Sequence, residues 1–302
     1  MYKNINFSSK FKSANILSFF IFIMSVLFIL FKGLNYGIDF KGGTLIELRA
    51  DSKNINISEI RSSLNSINLG DVNVKEFGKK GDFLIKVEQK MENNSQLVPE
   101  IKKTLINNLN AEINFRRVEN VGPKVSSELL QSGIIAISLS LIAMLFYIWI
   151  RFEWQFSVGS IVALFHDVII TLGIFSVLSL EINLSIIAAV LTIVGYSMND
   201  TVVIYDRIRE NLNKYTRLNI SETANLSINE TLSRTIITSI TTLLALLSIY
   251  ILGGEILRGF SFAMILGVLI GTYSSIFVAA PVLKFFKVSY KTLEKKEEKI
   301  VP

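Results

Sequence analysis

The chain has 302 residues, of which 50% are hydrophobic and 21 are Phe, and its mean hydropathy is +0.47. This composition predicts a membrane protein, in which the net charge of +6 is better explained by basic loops beside membrane spans than by a nucleic-acid surface. The sequence contains no Cys, which excludes disulfides, thiol catalysis and Cys-ligated metal sites, and its single His excludes a His-rich metal cluster. We therefore expect no nucleic-acid partner, no metal and no cofactor.

The first predicted element is an apolar run from Ala14 to Phe31, preceded by three Lys residues. A cleavable secretion signal has an apolar region of about 7–15 residues and a small-residue cleavage site. This run is longer, and no A-x-A pattern follows it. We interpret residues 1–36 as a cytoplasmic N-terminus and a retained first transmembrane span.

Residues 37–121 have the character of a small domain outside the membrane. A half-buried strand is indicated by period-two alternation, and a helix by an apolar stripe at helical spacing. The alternating set is Thr44, Ile46, Leu48 and Ala50, and the helical stripe is Ile57, Ile60, Leu64 and Ile67.

Two more strands, Asp71 to Phe77 and Asp82 to Glu88, are predicted on either side of the turn sequence GKKG. A second amphipathic helix and a short final strand follow; they are marked by Leu97, Ile101, Leu105 and Leu109, and by Ala111, Ile113 and Phe115. The resulting order βαββαβ is typical of a ferredoxin-like α+β sandwich. Because this stretch offers no nucleophile, metal cluster or phosphate loop, we interpret it as a contact surface.

Residues 122–286 are predicted to contain the second to sixth transmembrane spans. The spans are expected at about Ile134–Ile150, Val158–Leu178, Ile182–Ile204, Thr235–Leu252 and Phe260–Phe285. Residues 205–232 are predicted to be a cytoplasmic segment that starts as a surface helix, and residues 287–302 a basic cytoplasmic tail, disordered past Leu293. The predicted fold is a six-span all-α membrane bundle with an inserted ferredoxin-like external domain.

Orientation is predicted from the placement of Lys and Arg. The N-terminus, the link at Arg151, the segment after Tyr205 and the tail are basic, whereas the short links near Ser179 and Gly253 are poor in Lys and Arg. By the positive-inside rule, both termini face the cytoplasm and residues 37–121 face outward, which in a bacterial inner membrane is the periplasm.

The fourth span carries Asn199 and Asp200 where a membrane helix normally has no acid. An ionised Asp costs about 2.5–3.5 kcal/mol near a helix centre, less toward an end, so we expect an acid that is kept there to have a function. The simpler alternative is that Asp200 reaches water at the cytoplasmic end of the span. Against this alternative, apolar residues continue beyond Asp200, and Tyr196, Asp200 and Arg207 share one helical stripe that must face protein or water.

Three other intramembrane patterns are notable. The fifth span has a hydroxyl stripe next to Arg234, and the sixth has a small-residue stripe suited to close helix packing. These stripes are Thr235, Thr238, Ser239 and Thr242, and Gly267, Gly271 and Ser275. In the third span, His166 and Asp167 are either a buried hydrogen-bonded pair or part of a proton relay.

Seven motifs in register along nearly the whole chain resemble those of the SecF family, a subunit family of the bacterial SecDF protein-export machinery. The motifs are GIDFKGG at 37–43, VGPKVSSEL at 121–129, RFEWQF at 151–156, FHD at 165–167, GYSMNDTVVIYDRIREN at 195–211, LSRTIITS at 232–239 and GTYSSIF at 271–277. The GIDF motif is shared with SecD. The single set of six spans and the lack of a large second external domain favour SecF.

The resemblance implies half of a resistance-nodulation-division transporter, with SecD supplying the other half of a twelve-span unit. It implies an accessory role at the SecYEG translocon, with YajC and YidC as possible further partners, in which proton flow helps to pull exported preproteins across the inner membrane. Asp200 matches the essential acid of the family and Arg234 its essential arginine, with Asn199 and Tyr196 as supporting candidates. Burial disfavours the charged form of Asp200 and a nearby Arg234 favours it, so the pair is a candidate for proton loading and release.

Three alternatives are weighed against this hypothesis. A small-molecule proton antiporter of the same superfamily would use a similar charge pair but larger external domains. A purely structural subunit of the translocon would tolerate loss of Asp200. An intramembrane hydrolase would need a catalytic pair such as Asp167 and Asp200, but the flanking signature of such proteases is missing, so we expect no enzyme.

Overall fold

The computed structural model describes residues 5–50, 55–67, 72–76, 78–87, 97–109 and 112–297. In chain order, the first elements are α1 (Phe11–Lys32), β1 (Asn35–Tyr36), α2 (Ile38–Lys41), β2 (Gly43–Ala50), α3 (Ile57–Asn65), β3 (Val72–Glu76), β4 (Asp82–Val87), α4 (Leu97–Leu109) and β5 (Ile113–Val121). The later elements are α5 (Pro123–Arg151), α6 (Trp154–Val177), β6 (Glu181–Ile182), α7 (Leu184–Lys214), α8 (Ile220–Leu252), α9 (Gly254–Ser274), a π-helical turn (Ser275–Ala279), α10 (Ala280–Phe285) and α11 (Tyr290–Glu297).

The chain divides into two compact units, each described by itself below. The membrane unit contains the residues up to Asn35, Ala136–Leu180 and the residues from Ser185 onward. The α+β unit contains Tyr36–Ile135 and Glu181–Leu184.

The α+β unit is built on an antiparallel sheet in the order β3-β4-β2-β5. The two strands that are first and third along the unit, β2 and β4, lie in the centre, which is the ferredoxin-like arrangement of a βαββαβ chain. The predicted order of strands and helices is therefore confirmed. The last strand is longer than expected and continues to Val121, while Asp71, Phe77, Glu88 and Ala111 lie outside the described residues.

The core of this unit contains the apolar positions that the sequence pattern selected. Ile46 and Leu48 of β2, Ile60 of α3 and Ile101 of α4 are fully buried, together with Ile85 of β4. Because α3 and α4 present these residues to the same cluster, both helices cover one face of the sheet. Burial of each such side chain contributes about 1.5–3 kcal/mol, so this cluster accounts for much of the stability of the unit.

Residues 181–184, which follow the third span, are held on the α+β unit. The amide of Gly37 donates to the carbonyl of Ile182 at 2.8 Å, and the amide of Leu184 donates to Asp39 Oδ2 at 2.9 Å. Glu181 also forms an ion pair with Lys86 of β4. The short outer link between α6 and α7 is thus part of a folded unit.

Six helical segments in the described chain are long and apolar enough to cross a membrane, which confirms the predicted number of spans. They are Ser8–Lys32, Pro123–Arg151, Trp154–Val177, Leu184–Lys214, Ile220–Leu252 and Leu257–Phe285. In the apolar windows of the third, fourth and sixth segments 50–61% of residues are buried, compared with 11–17% in the other three. Helices α6, α7 and α9 therefore form the centre of the bundle.

The helices extend well beyond the predicted spans at the polar segment. Helix α7 continues unbroken to Lys214, and α8 begins at Ile220, so residues 205–232 are mostly helical. The start of α8 is fixed by a capping box, in which Asn219 Oδ1 accepts from the amide of Glu222 and Glu222 Oε2 accepts from the amide of Asn219, both at 3.0 Å.

The sixth span is confirmed as the segment Leu257–Phe285, within which the π-helical turn Ser275–Ala279 interrupts the α-helical geometry. The expectation that the tail is disordered past Leu293 is wrong for 294–297, since α11 extends to Glu297; residues 298–302 lie outside the described residues. Leu293 is buried in the main apolar cluster of the membrane unit, and this burial stabilises the helix.

We expect residues 41–120 expressed alone to be soluble, with mixed helix and sheet by circular dichroism and one cooperative melt. Replacing the fully buried Ile85 by Ala should lower the free energy of unfolding in urea by about 2–5 kcal/mol. The matched control is Ile106→Ala, which removes a side chain that is 50% exposed and should change it by less than about 0.5 kcal/mol. A random-coil spectrum of the isolated fragment would contradict the assignment of an independent domain.

Candidate functional site

Helix α7 carries the motif GYSMND and has polar side chains on two of its faces. Asp200 is 2% exposed, Ser197 is buried, and Tyr196 is half-buried, whereas Asn199 is exposed. By helical spacing, Tyr196 and Asp200 lie on one face with Arg207, while Ser197 lies on a second face. The two faces contact different helices.

The first face of α7 packs against α8 through polar contacts at three levels. Asn211 Nδ2 donates to Ser227 Oγ at 3.0 Å, and Arg207 Nε donates to Glu230 Oε2 at 2.7 Å. About three turns closer to the N-terminus of α7, the Tyr196 hydroxyl lies 3.5 Å from Thr242 Oγ1. The three contacts share one antiparallel register, so the predicted stripe of Tyr196, Asp200 and Arg207 faces α8.

In this register Asp200 lies opposite Thr238 of α8. Thr235 and Arg234 lie about one turn before Thr238 on α8, toward Glu230. Asp200 Oδ1 lies 3.5 Å from Asn199 Nδ2, at the outer limit of a hydrogen bond. Asp200 Oδ2 and the hydroxyl of Thr235 are both buried, and neither has a hydrogen-bond partner in the described part of the chain. The site therefore presents a carboxylate oxygen to the α7–α8 interface with room for a proton.

Arg234 is exposed on α8, and no ion pair within 4.0 Å joins it to Asp200 in the described chain. The structure thus brings the predicted pair to the same end of one interface without forming a salt bridge. A guanidinium on a long side chain can close such a gap by changing rotamer.

The second acid, Asp167 of α6, is fully buried and hydrogen-bonded on both oxygens. Oδ2 accepts from Ser197 Oγ of α7 at 2.5 Å and from Ser274 Oγ of α9 at 2.7 Å. Oδ1 lies 2.9 Å from Nδ1 of His166, so the buried hydrogen-bonded pair is present. The carboxylate of Asp167 therefore joins the three central helices of the bundle.

The His166 ring connects this cluster to α1. It stacks on the ring of Tyr273 with centroids 6.5 Å apart, and the Tyr273 hydroxyl donates to the carbonyl of Ala14 at 3.0 Å. The hydroxyl of Ser18, also on α1, lies 2.9 Å from that of Tyr273. Nε2 of His166 is buried without a partner among the described residues.

The small-residue stripe of the sixth span has the predicted packing role. A Cβ at Gly267 would lie 2.2 Å from a side-chain carbon of Ile193, and one at Gly271 would lie 3.0 Å from Cβ of Ser197. Only glycine allows α9 to approach α7 so closely. This approach brings Ser274, one turn after Gly271, within reach of Asp167.

Sequence reasoning missed Ser197 and Ser274. Ser197 lies one turn before Asp200 in GYSMND, and Ser274 lies in GTYSSIF, so both occupied motifs that were recognised. A single hydroxyl in a membrane span is common, and only the crossing of α6, α7 and α9 shows that these two share an acceptor. No group of three or more His, Cys, Asp or Glu side chains is arranged to hold a metal ion in the part of the chain that the structure describes.

The sequence matches the family described as protein export membrane protein SecD/SecF, C-terminal, over residues 101–289, and the SecD/SecF GG motif over residues 27–53. The protein translocase subunit SecF of Rickettsia bellii is 47% identical over 271 residues, with 88% of this chain and 89% of that protein covered. The subunit of the same name from Rickettsia rickettsii is 46% identical over 283 residues, with coverage of 91% and 92%.

Solved structures show the same fold. The crystal structure of SecDF from Thermus thermophilus, described as a translocon-associated membrane protein, matches with a TM-score of 0.86 and 36% identity over 95% of this chain. A crystal structure of SecDF in a super-membrane-facing form matches with a TM-score of 0.70 and 34% identity over 99% of this chain. The chain spans 40% of the length of each of these SecDF chains. With this coverage and identity, the chain belongs to the SecD/SecF family of protein export membrane proteins.

Proposed function

We propose that this chain is a SecF-type subunit of the Sec protein translocase, which works with a separate SecD to complete the export of preproteins by means of the proton-motive force. Relatives named as SecF support the role, since they are up to 47% identical along most of both chains. The solved SecDF chains support the partnership, because this chain corresponds to only 40% of their length. Its work is mechanical rather than enzymatic.

The observation that carries the proposal is the setting of Asp200. A buried carboxylate with one oxygen free of hydrogen bonds, in a helix long enough to span the membrane, can accept and release a proton. Each charge that crosses about 100 mV releases about 2.3 kcal/mol. This energy shifts the ratio of two conformations by roughly fiftyfold, enough to drive a domain between two orientations.

Arg234 is proposed to control the charge of Asp200 from the same end of the α7–α8 interface. When Asp200 is ionised, the guanidinium is attracted to it, and when Asp200 is protonated the attraction is lost. Asn199 and Tyr196, which flank the acid on α7, are proposed to orient it. Protonation and ionisation of Asp200 thereby change how strongly α7 and α8 attract each other at this level of the membrane.

Asp167 and His166 are proposed to support this site rather than to carry the proton. Donors already occupy both oxygens of Asp167, and two of them come from helices other than its own. Such a carboxylate fixes helix positions, since moving any of the three helices breaks a buried hydrogen bond. Ser197 lies three residues before Asp200, so this fixed point stabilises the helix that carries the active acid.

The partner surface is proposed to include the exposed polar side chains of α7 and α8. Asn199 and Arg234 are both exposed, although each lies in a helix long enough to span the membrane. A lipid-facing amide or guanidinium is costly, so we infer that the SecD half of the transporter covers this face. SecYEG, exported preproteins, YajC and YidC are proposed as further partners on the basis of the family role.

The proposed orientation places both termini in the cytoplasm of a bacterium, in the inner membrane, with residues 37–121 in the periplasm. Within the membrane unit, the N-terminus and the link between α7 and α8 lie at the same end. The amide of Phe7 donates to Asn225 Oδ1 at 2.7 Å, and Ile5 and Asn229 exchange two hydrogen bonds of 2.9 and 2.8 Å. The basic residues of both segments therefore lie on one side, as the positive-inside rule requires of the cytoplasmic face.

The first prediction of this proposal concerns the charge pair. Asp200→Asn should mimic the protonated acid permanently, and Arg234→Met should leave the acid without its controlling charge. Both variants should lose gradient-driven export while still inserting and co-purifying with SecD, and the double variant should be no worse than either single one. The measurement is preprotein translocation with and without an uncoupler. Uncoupler-sensitive stimulation that survives in Asp200→Asn would show that the proton path lies elsewhere.

The second prediction distinguishes a structural role of Asp167 from a role in proton transfer. Asp167→Asn keeps an acceptor for Ser197 and Ser274 but cannot ionise, so it should retain gradient-driven export. Asp167→Leu removes the acceptor of the buried Ser197 hydroxyl, while Ser274 can still donate to the carbonyl of Gly271, so it should lower the free energy of unfolding of the complex in detergent by about 1–3 kcal/mol. Loss of export in Asp167→Asn, with normal stability and normal amounts of complex, would instead assign Asp167 to the proton relay.

The third prediction concerns orientation. Because the chain contains no Cys, Ser62→Cys and Asn213→Cys introduce single thiols at two exposed positions. A membrane-impermeant thiol reagent added to spheroplasts should label position 62 and leave position 213 unlabelled until the membrane is permeabilised. The reverse pattern would overturn the proposed orientation.

A further inference from the structure

The corner between α5 and α6 makes two ion pairs with α7 that differ in burial. Arg151 Nη2 donates to Asp206 Oδ1 at 2.8 Å, and both side chains are about half exposed. Two residues later, Glu153 meets Arg209 with an N–O distance of 3.7 Å, and the Glu153 side chain is only 6% exposed. The first pair is an ordinary surface salt bridge, whereas the second encloses a carboxylate inside the protein.

The Glu153 carboxylate lacks hydrogen bonds. Both of its oxygens are buried without a partner among the described residues, and the contact with Arg209 is too long for a hydrogen bond. Ser157, one turn further along α6, has a buried hydroxyl in the same condition. Burial of an ionised group without hydrogen bonds is strongly unfavourable, so groups of this kind are normally met by water or an ion.

The surroundings connect this carboxylate to the surface. Arg209 supplies the charged side chain that the described residues place within 4.0 Å of Glu153, and about a third of it is exposed. The other nearby elements contribute rings: Phe152 packs on Phe156, and Trp154 contacts Phe286. Water that contacts the exposed part of the Arg209 side chain is therefore separated from the Glu153 carboxylate only by that side chain.

Glu153 and Ser157 begin a buried polar stripe along α6. Ser160 and Asp167 continue the stripe at spacings of three and seven residues, and both are buried. The stripe faces α7 throughout, since Arg209 lies at Glu153 and Ser197 binds Asp167. These contacts follow a single antiparallel register.

Tyr205 of α7 meets this stripe at Gly159 and Ser160. Its hydroxyl lies beside Ser160 and donates to the carbonyl of Ala279 at 2.9 Å. A Cβ at Gly159 would lie 2.2 Å from this hydroxyl, so the glycine is needed for Tyr205 to approach. The phenol thereby adds a hydroxyl group to the stripe at the level of Ser160.

The polar stripe is interrupted before it reaches Asp167. Ala163 and Leu164, each 1% exposed, fill the interface at the level between Ser160 and Asp167. The segment from Glu153 to Ser160 thus carries buried polar groups near one end of the bundle, and apolar side chains follow them at the inner end. An apolar layer of this kind prevents a continuous water path and hence an uncontrolled proton leak.

We propose that Glu153, with Ser157 and Arg209, forms a hydrated proton-transfer site through which protons pass between the cytoplasm and Asp200. The inference rests on the proposed proton-driven function and adds to it a residue outside the Asp200 and Asp167 sites. In the transfer step, a hydronium ion gives its proton to a Glu153 oxygen, an O–H bond forms, and neutral water and a carboxylic acid remain. The reverse step returns the proton to water, and Arg209 compensates the negative charge left on Glu153.

The first test asks whether water reaches the site at Glu153 and Ser157, and it does not depend on the coupling of proton flow to export. Ser157→Cys and Ala163→Cys each place the only thiol of this chain at a buried position of α6. Inverted vesicles that contain the chain and its SecD are treated with Ag⁺, washed and denatured, and the remaining thiol is counted by a maleimide mass tag on this chain. Ag⁺ should block position 157 and leave position 163 free. Equal protection or equal reaction at the two positions would overturn the inference.

The second test asks whether Glu153 carries protons. In Glu153→Gln, gradient-driven translocation should lose its dependence on the pH of the cytoplasmic side, and Glu153→Asp should restore it. The matched control is Asp206→Asn, which removes the exposed acid of the neighbouring pair and should leave the pH profile unchanged. An unchanged profile in Glu153→Gln would exclude Glu153 from the path.

The two tests distinguish failure of this inference from failure of the proposed function. If the wild-type chain gives no uncoupler-sensitive stimulation of export, the proposed function fails, but Ag⁺ access to position 157 still reports whether the site at Glu153 and Ser157 is hydrated. If Asp200→Asn abolishes export and Glu153→Gln has the wild-type pH profile, the function stands and only the site at Glu153 is excluded.

Discussion

The structure depends on one constraint, which is that polar groups inside a membrane helix must find partners within the protein. Helix α7 carries such groups on two faces, so it needs partner helices on both. On one face Ser197 binds Asp167 at 2.5 Å, and on the other the Tyr196 hydroxyl lies 3.5 Å from Thr242 Oγ1. Each contact works at one axial level only, and together they fix the positions of α6 and α8 along α7. The central place of α7 in the bundle follows from this double requirement.

The two intramembrane acids, Asp167 of α6 and Asp200 of α7, have contrasting surroundings. They lie at similar levels of the bundle, because Ser197, which binds Asp167, is one turn before Asp200 on α7. Asp167 is saturated with donors from three helices, and Asp200 keeps one oxygen free. A saturated carboxylate resists change, whereas a free one responds to a proton or to a nearby charge such as Arg234. The α6–α9 side of α7 is therefore the fixed side, and the α8 side is the one that can respond. Under the proposed proton-driven function, this division provides one stationary surface and one surface that responds to protonation.

Much of the fold could be predicted from the sequence, since length and hydropathy define the six spans and alternation defines the βαββαβ order. Asp200 could be singled out because an acid is rare in a membrane helix. The partners of Asp167 could not, because Ser197 and Ser274 lie 30 and 107 residues away and meet it only through helix crossing. The start of α8 had a local signal, Asn219 followed by Glu222, which the polar composition of the segment obscured.

The π-helical turn Ser275–Ala279 determines which side of the last span faces inward beyond it. A π turn contains about one residue more than an α turn, so everything after Ala279 is rotated by roughly 100° relative to an uninterrupted helix. With this rotation Leu283 is fully buried and Phe285 is 82% exposed. A deletion of one residue within 275–279 would rotate the end of the span by roughly 100° and turn Leu283 away from its buried position, while leaving the composition of the span almost unchanged. The length of this short stretch, more than its composition, therefore determines which side chains of the end of the span are buried.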